Sequence, residues 1–116
     1  MLKLKRIYDS AGPEDGKRYL VDRIWPRGVS KAKARLDGWL KDLAPSARLR
    51  DWFNHKPERW DEFQRRYREE LSSIEREEMV RTLRQESRTE RVTLLFAAKD
   101  VEHNNAVVLK AFLEEG

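Results

Sequence analysis

Arg91-Val92-Thr93-Leu94-Leu95-Phe96-Ala97-Ala98 is the stretch on which the fold turns. It has no polar side chain after Thr93, and an apolar run that does not alternate reads as a strand covered on both faces, as in a parallel sheet between helices. Such a strand needs parallel neighbours, and two candidates precede it. In the first, Leu2 and Leu4 alternate with Lys3 and Lys5, with Tyr8 a further candidate, giving a strand with one buried face that ends before Asp9. In the second, Tyr19, Leu20, Val21 and Ile24 make a short apolar run over Arg18 to Ile24. Ser10 to Gly16 separates them as a surface loop, marked by the turn pairs Gly12-Pro13 and Asp15-Gly16.

The long segment before the central strand reads as helical. From Glu58, the positions Trp60, Phe63, Tyr67, Leu71 and Ile74 recur at helical spacing through charged sequence. Ser72 and Glu75 have the form of a capping box, which places a break near Ser72 and a second helix carrying Met79, Val80 and Leu83. Earlier, Ser30 can cap a short helix through Ala34, with Lys31, Lys33 and Arg35 as its basic face. Asp37 precedes Trp39, Leu40 and Leu43, and Pro45-Ser46 opens a short helix with Leu49, Trp52 and Phe53 on one side. Apolar residues at these spacings read as core rather than as a ligand cage. After the central strand, a polar connector, Lys99 to Asn105, leads to an amphipathic helix with Ala106, Val107, Leu109, Ala111, Phe112 and Leu113. The order strand, strand, helices, strand, helix gives an α/β fold: one compact domain over residues 1–116, with a small, largely parallel sheet covered by helices.

Composition sets the limits of function. With 40% charged residues the surface must be densely charged and the core small, and 25 Lys and Arg against 21 Asp and Glu leave a mild net charge of +4. That is a weak pull on an anionic partner. The absence of cysteine removes disulfides, thiolate metal sites and thiol nucleophiles together. No apolar run approaches the roughly 20 residues of a membrane span, and no leader pattern opens the chain, so a cytoplasmic protein without a membrane partner is expected. Phosphate-loop, dinucleotide-turn and nucleophile-elbow motifs are missing, and no cofactor is implied. The two histidines, His55 and His103, lie far apart without carboxylates in ligand spacing, so no metal site is expected.

In an open α/β sheet, ligands bind beyond the carboxyl ends of the strands, where helix N-termini face the crevice. That rule brings together Asp22 to Arg27 and Lys99 to Asn105. Arg23, Arg27 and Lys99 would hold a small anion, phosphate or carboxylate, because guanidinium and ammonium groups match such oxygens. Asp22 or His103 would move a proton, and Trp25, Asp100, Asn104 and Asn105 would complete the binding surface. A plainer reading competes: Asp22 pins the turn by pairing with Arg23 or Arg27, Asp100 or Asn104 caps a helix, and Trp25 covers the sheet edge where Pro26 stops the strand. Two further functions stay open. One is a nucleic-acid-binding module using the basic segment 27–50, with Lys31, Lys33, Arg35, Arg48 and Arg50 on phosphates. The other is an interaction protein presenting Trp39, Trp52 and Trp60. Whether the chain is an enzyme, and its oligomeric state, are not legible at this level.

Four segments carry a family likeness: VDRIWPRGVSK at 21–31, LKDLAPSARLRDWFNH at 40–55, RWDEFQRRYREEL at 59–71 and LLFAAKDVEHNNAVVLKAFL at 94–113. On these the chain resembles the YeaO-like branch of the family called domain of unknown function 488. The resemblance implies a small bacterial or archaeal α/β protein of no established activity. Broader members of that family look like they carry an aspartate and arginine after an early strand, matched by Asp22 and Arg23. They also carry a Cys-His-Arg sequence ahead of the last helix. Here the place reads Glu102-His103-Asn104, so only the histidine carries over.

Overall fold

Every residue from Val92 to Phe96 is buried, and this strand lies inside a four-stranded sheet, as its unbroken apolar character requires. The computed structural model describes residues 1–116. Its strands are β1 (Leu2–Arg6), β2 (Lys17–Leu20), β3 (Gly38–Trp39) and β4 (Val92–Phe96), in the order β1-β4-β2-β3. All three pairings are parallel. The carboxyl ends of all four strands therefore lie at one edge. Five helices complete the fold: α1 (Lys31–Ala34), α2 (Ala47–Phe53), α3 (Trp60–Leu71), α4 (Ile74–Thr89) and α5 (Asn105–Glu114).

Alternation along β4 divides the core in two. Val92, Leu94 and Phe96 join the larger cluster, built with Leu49 and Phe53 of α2, Phe63, Tyr67 and Leu71 of α3, Val80 and Leu83 of α4 and the apolar side of α5. Leu95 points the other way, into a smaller cluster with Ile7, Leu20 and Ala34, against which Trp25, Val29 and Leu36 pack. One face thus carries four helices, and the other carries α1 with the chain around it. The α/β class expected from the sequence is the one observed.

Several local expectations are corrected. The second strand does not run to Ile24 but ends at Leu20, and Ile24 is 54% exposed. The ladder stops because a side chain takes its next rung. Val21 N–H still donates to Leu95 C=O at 3.0 Å, but the Ala97 N–H donates to the Asp22 carboxylate at 2.9 Å instead of to the Val21 carbonyl. Tyr8 lies beyond the end of β1 and is exposed. Trp39 belongs to a two-residue edge strand rather than to the buried core, and one 3₁₀ turn, Lys41–Leu43, follows it. The chain breaks after Leu71 as its spacing implies, yet no Ser72–Glu75 capping box forms. The Ser72 hydroxyl donates back to the Arg68 carbonyl at 2.9 Å, and Ser73 takes the cap position. Ile74, turned outward by that break, is 85% exposed.

Candidate functional site

A cavity of about 720 Å³ opens at the carboxyl edge of the sheet, within the usual range for small-ligand sites. Four chain segments wall it: Tyr8 after β1, Asp22 to Arg27 after β2, Pro45 after β3, and Ala97 to Asp100 after β4. Arg50 of α2, His55, Phe63 of α3 and Asn105 of α5 close the remainder. Seven of the nine residues singled out in the sequence line it: Asp22, Arg23, Trp25 and Arg27 from one loop, Lys99, Asp100 and Asn105 from the other. His103 and Asn104 do not.

Asp22 anchors the floor. Its Oδ2 accepts from the Ala97 N–H, and its Oδ1 accepts from Asn105 Nδ2 at 3.1 Å, while the same amide donates to the Val21 carbonyl at 2.9 Å. One carboxylate thereby ties the ends of β2 and β4 to the first turn of α5. No ion pair forms between Asp22 and Arg23 or Arg27, so the turn is not pinned by charge. Burial pushes the Asp22 carboxyl above its ordinary range, against the Ala97 N–H, the Asn105 amide and the nearby charge of His55.

Arg23 is committed to the backbone. Its Nε donates to the Pro45 carbonyl at 2.9 Å and a second nitrogen approaches the Ala44 carbonyl at 3.5 Å, which fixes the guanidinium beside the cavity. Trp25 donates from Nε1 to the Val29 carbonyl at 2.7 Å and meets Trp39 edge-on, with ring centroids 5.4 Å apart. Trp39 in turn donates to the Asp22 carbonyl at 2.7 Å. The two indoles therefore brace the loop from behind. Arg27 is different: its carbonyl accepts from the Tyr8 hydroxyl at 2.9 Å, but its guanidinium makes no hydrogen bond or ion pair to the protein. Gly28 follows at φ 78°, a left-handed conformation that turns the chain away and leaves Arg27 at the rim. Lys99, also exposed, is likewise unpaired.

The second loop is held from within. Asp100 Oδ1 accepts from the N–H groups of Glu102 and His103 at 2.9 and 3.0 Å, and its Oδ2 lies 2.9 Å from His103 Nδ1. The N–H of Glu102 and the His103 ring hold the Asp100 carboxyl below its usual range. Asn104 is a buried helix cap: its Oδ1 accepts from Val107 N–H at 3.1 Å and its Nδ2 donates to the Asp100 carbonyl at 2.9 Å. His103 leaves the cavity to meet the Trp60 ring edge-on at 5.1 Å.

The histidine on the cavity wall is instead His55. It arrives there because Asn54 ends α2 in the left-handed region at φ 44° and His55 continues at φ 53°, which swings the chain back toward the strand ends. An Asn directly after the apolar Phe53 and ahead of Pro57 is the one signal for that stop in the sequence. Nothing in the local pattern signals Tyr8, Pro45, Arg50 or Phe63 as cavity residues, since they come from four different elements.

The basic segment does not form a single stripe. Lys31 and Lys33 ride on α1, over the smaller cluster, whereas Arg48 and Arg50 ride on α2, over the larger one. The tryptophans are similarly dispersed. Trp39 meets Trp25 edge-on, Trp52 is covered by the guanidinia of Arg59 and Arg66 at 5.2 and 4.4 Å, and Trp60 packs on Phe53 and Phe63. No helix is long and apolar enough to cross a membrane.

Comparison with known proteins places the chain. All of residues 1–116 match the family described as the inactive DUF488-N3 subclade. The uncharacterised protein Rv3073c of Mycobacterium tuberculosis is 42% identical over 112 residues, which cover 97% of this chain and 92% of that protein. The uncharacterised protein YeaO of Escherichia coli K12 is 38% identical over 112 residues, covering 97% of this chain and 96% of its own length. No solved structure matches. The chain belongs to the DUF488 family, within its inactive N3 subclade.

Proposed function

We propose that this protein binds a small anion, a phosphate or carboxylate, in the cavity at the carboxyl edge of its sheet. The observation that carries the reading is the pair of unpaired cations, Arg27 and Lys99, on a cavity whose other charges are already committed. Arg23, Arg27, Arg50 and Lys99 face it against two carboxylates, Asp22 and Asp100. Asp100 is engaged by its own loop, and Asp22 by neutral donors. Asn105, the first residue of α5, adds the positive end of a helix.

In this reading Arg27 and Lys99 take the anion, Arg23 adds a fixed field and Trp25 forms the wall. Asp100, with His103, and the capping Asn104 hold the second loop in shape. Asp22 is the one carboxyl on the cavity that burial pushes above its ordinary range, with His55 beside it. The family's description as inactive, and the lack of any thiol or activated hydroxyl on the cavity, favour binding over covalent catalysis. The test is calorimetric titration with inorganic phosphate and acetate. Binding to the wild type with about tenfold weakening in Arg27→Ala is the expected result, since a charge-assisted hydrogen bond contributes roughly 1.5 to 3 kcal/mol. Equal behaviour of the two proteins would remove the site.

A further inference from the structure

The polar groups around the cavity differ in how much bonding capacity they have left, and that difference constrains what could occupy it. Apart from the His55 imidazole, the neutral side-chain donors are spent. The Tyr8 hydroxyl donates to Arg27 C=O, the indoles of Trp25 and Trp39 donate to backbone carbonyls, the Ala97 N–H donates to Asp22, and Asn105 Nδ2 is shared between Asp22 and Val21. What stays free is the His55 imidazole and charge at the rim, on Arg27 and Lys99. What lines much of the rest is apolar: exposed Ile24, half-buried Ala97 and Ala98, and behind them the buried Pro26, Pro45 and Phe63. Ile24 is among the few large apolar side chains left in solvent, and it sits on this wall.

A ligand rich in hydroxyls needs a matching set of free donors and acceptors, because each polar group buried without a partner costs binding energy. Beyond the charged groups, the side chains of this cavity offer only the His55 imidazole. A polyanion would meet the Asp22 and Asp100 carboxylates as well as the cations. A single anionic head on an apolar body would satisfy the free charge and cover Ile24 and the half-buried alanines, without asking for donors already in use.

We infer that the cavity takes an apolar acid, a carboxylate or phosphate monoester on an aryl or alkyl body, with its head on Arg27 and Lys99 and its body against Ile24, Ala97 and Ala98. This rests on the anion-binding reading above and specifies its ligand class. Exposed apolar surface beside free cations is what gives such a ligand both of its contacts, hydrophobic area for the body and charge-assisted hydrogen bonds for the head.

The experiment is a calorimetric series on the full chain, supported by tryptophan fluorescence because Trp25 lines the wall. Acetate and inorganic phosphate supply the head alone. Benzoate and phenyl phosphate add an apolar body, a hexose phosphate adds a hydroxylated one, and benzamide supplies the body without charge. The expected result is that benzoate and phenyl phosphate bind at least about tenfold tighter than acetate and phosphate, with the hexose phosphate no tighter than phosphate and benzamide weakest. Arg27→Ala should weaken both aryl acids, while Ile24→Ser, at an exposed position, should weaken them and leave phosphate unchanged. If phosphate binds but the aryl acids bind no tighter, or the hexose phosphate binds tightest, the ligand class is wrong and the anion site survives. If no anion binds, or benzamide matches benzoate, the anion site fails and the inference falls with it.

Discussion

Two aspartates flank β2, one just before it and one just after, and they are treated in opposite ways. Asp15, 1% exposed, is enclosed by two cations, Arg18 at 2.6 Å and Lys5 at 3.0 Å, and by the Gly12 N–H at 3.1 Å. Arg18 is itself 5% exposed and spends its remaining donors on the carbonyls of Ala34 and Arg35. Asp22 has no cation bonded to it. Its partners are a backbone N–H and an amide, and of the arginines on the cavity Arg23 is tied to carbonyls, Arg50 pairs with Asp51 and Arg27 is free. The first cluster is a closed circuit of charge that fastens the loop before β2 under the sheet. The second is open, and the difference separates a structural ion pair from a surface that can still receive a ligand.

The sharpest way to break this contrast is to remove Arg18. Arg18→Met leaves Asp15 buried beside Lys5 alone, and a loss of about 3 to 5 kcal/mol in urea denaturation is expected. A loss no larger than that of a surface substitution would mean the closed circuit does not hold the loop.

The pH response of the two carboxyls sharpens the contrast further. Burial works against the Asp15 carboxylate, but the Gly12 N–H, Lys5 and Arg18 outweigh it and hold the group below its ordinary range. Its contribution to stability is present above the unfolded value near 3.9 and disappears as pH falls through the lower folded value. Asp22 is shifted upward, mainly by burial, so its ionisation opposes folding. Its contribution is fully present below the unfolded value and is lost as pH rises through the folded one. On acidification from about pH 7 toward pH 3, Asp15→Asn should therefore close its deficit against wild type, whereas Asp22→Asn should fall further behind. The two slopes have opposite signs, and denaturation at several pH values measures both.

The smallest effect is expected at Arg27. Having no partner in the protein, Arg27→Ala should change folding stability by no more than about 0.5 kcal/mol, although it removes much of the binding. A larger loss would show that Arg27 belongs to the scaffold, and the contrast with Arg18 would dissolve.

The parts of the fold legible in the sequence were those set by one continuous pattern. The apolar run at β4 implies a covered strand, and the spacing of Phe63, Tyr67 and Leu71 implies the buried side of α3. Features set by a single distant contact were not legible. Val21 continues the apolar run of β2, yet the strand ends because the Asp22 side chain intercepts the Ala97 N–H. Gly38–Trp39 is too short to show a period at all. At the cavity, both loops could be placed by the rule for parallel sheets, but not the choice of histidine. His103 is nearer in sequence to α5, and only the left-handed stop at Asn54 and His55 brings the other imidazole to the wall.

The strand order also governs how the chain can assemble. β1 and β2 do not touch each other; both pair with β4, which is the last strand to leave the ribosome. Until residues 92–96 exist, the only rungs available to the sheet are the two between β2 and β3, and Leu2 and Leu20 lack the strand that both of theirs pair with. Such late, long-range closure slows folding and leaves the nascent chain's apolar surface exposed until β4 has been made.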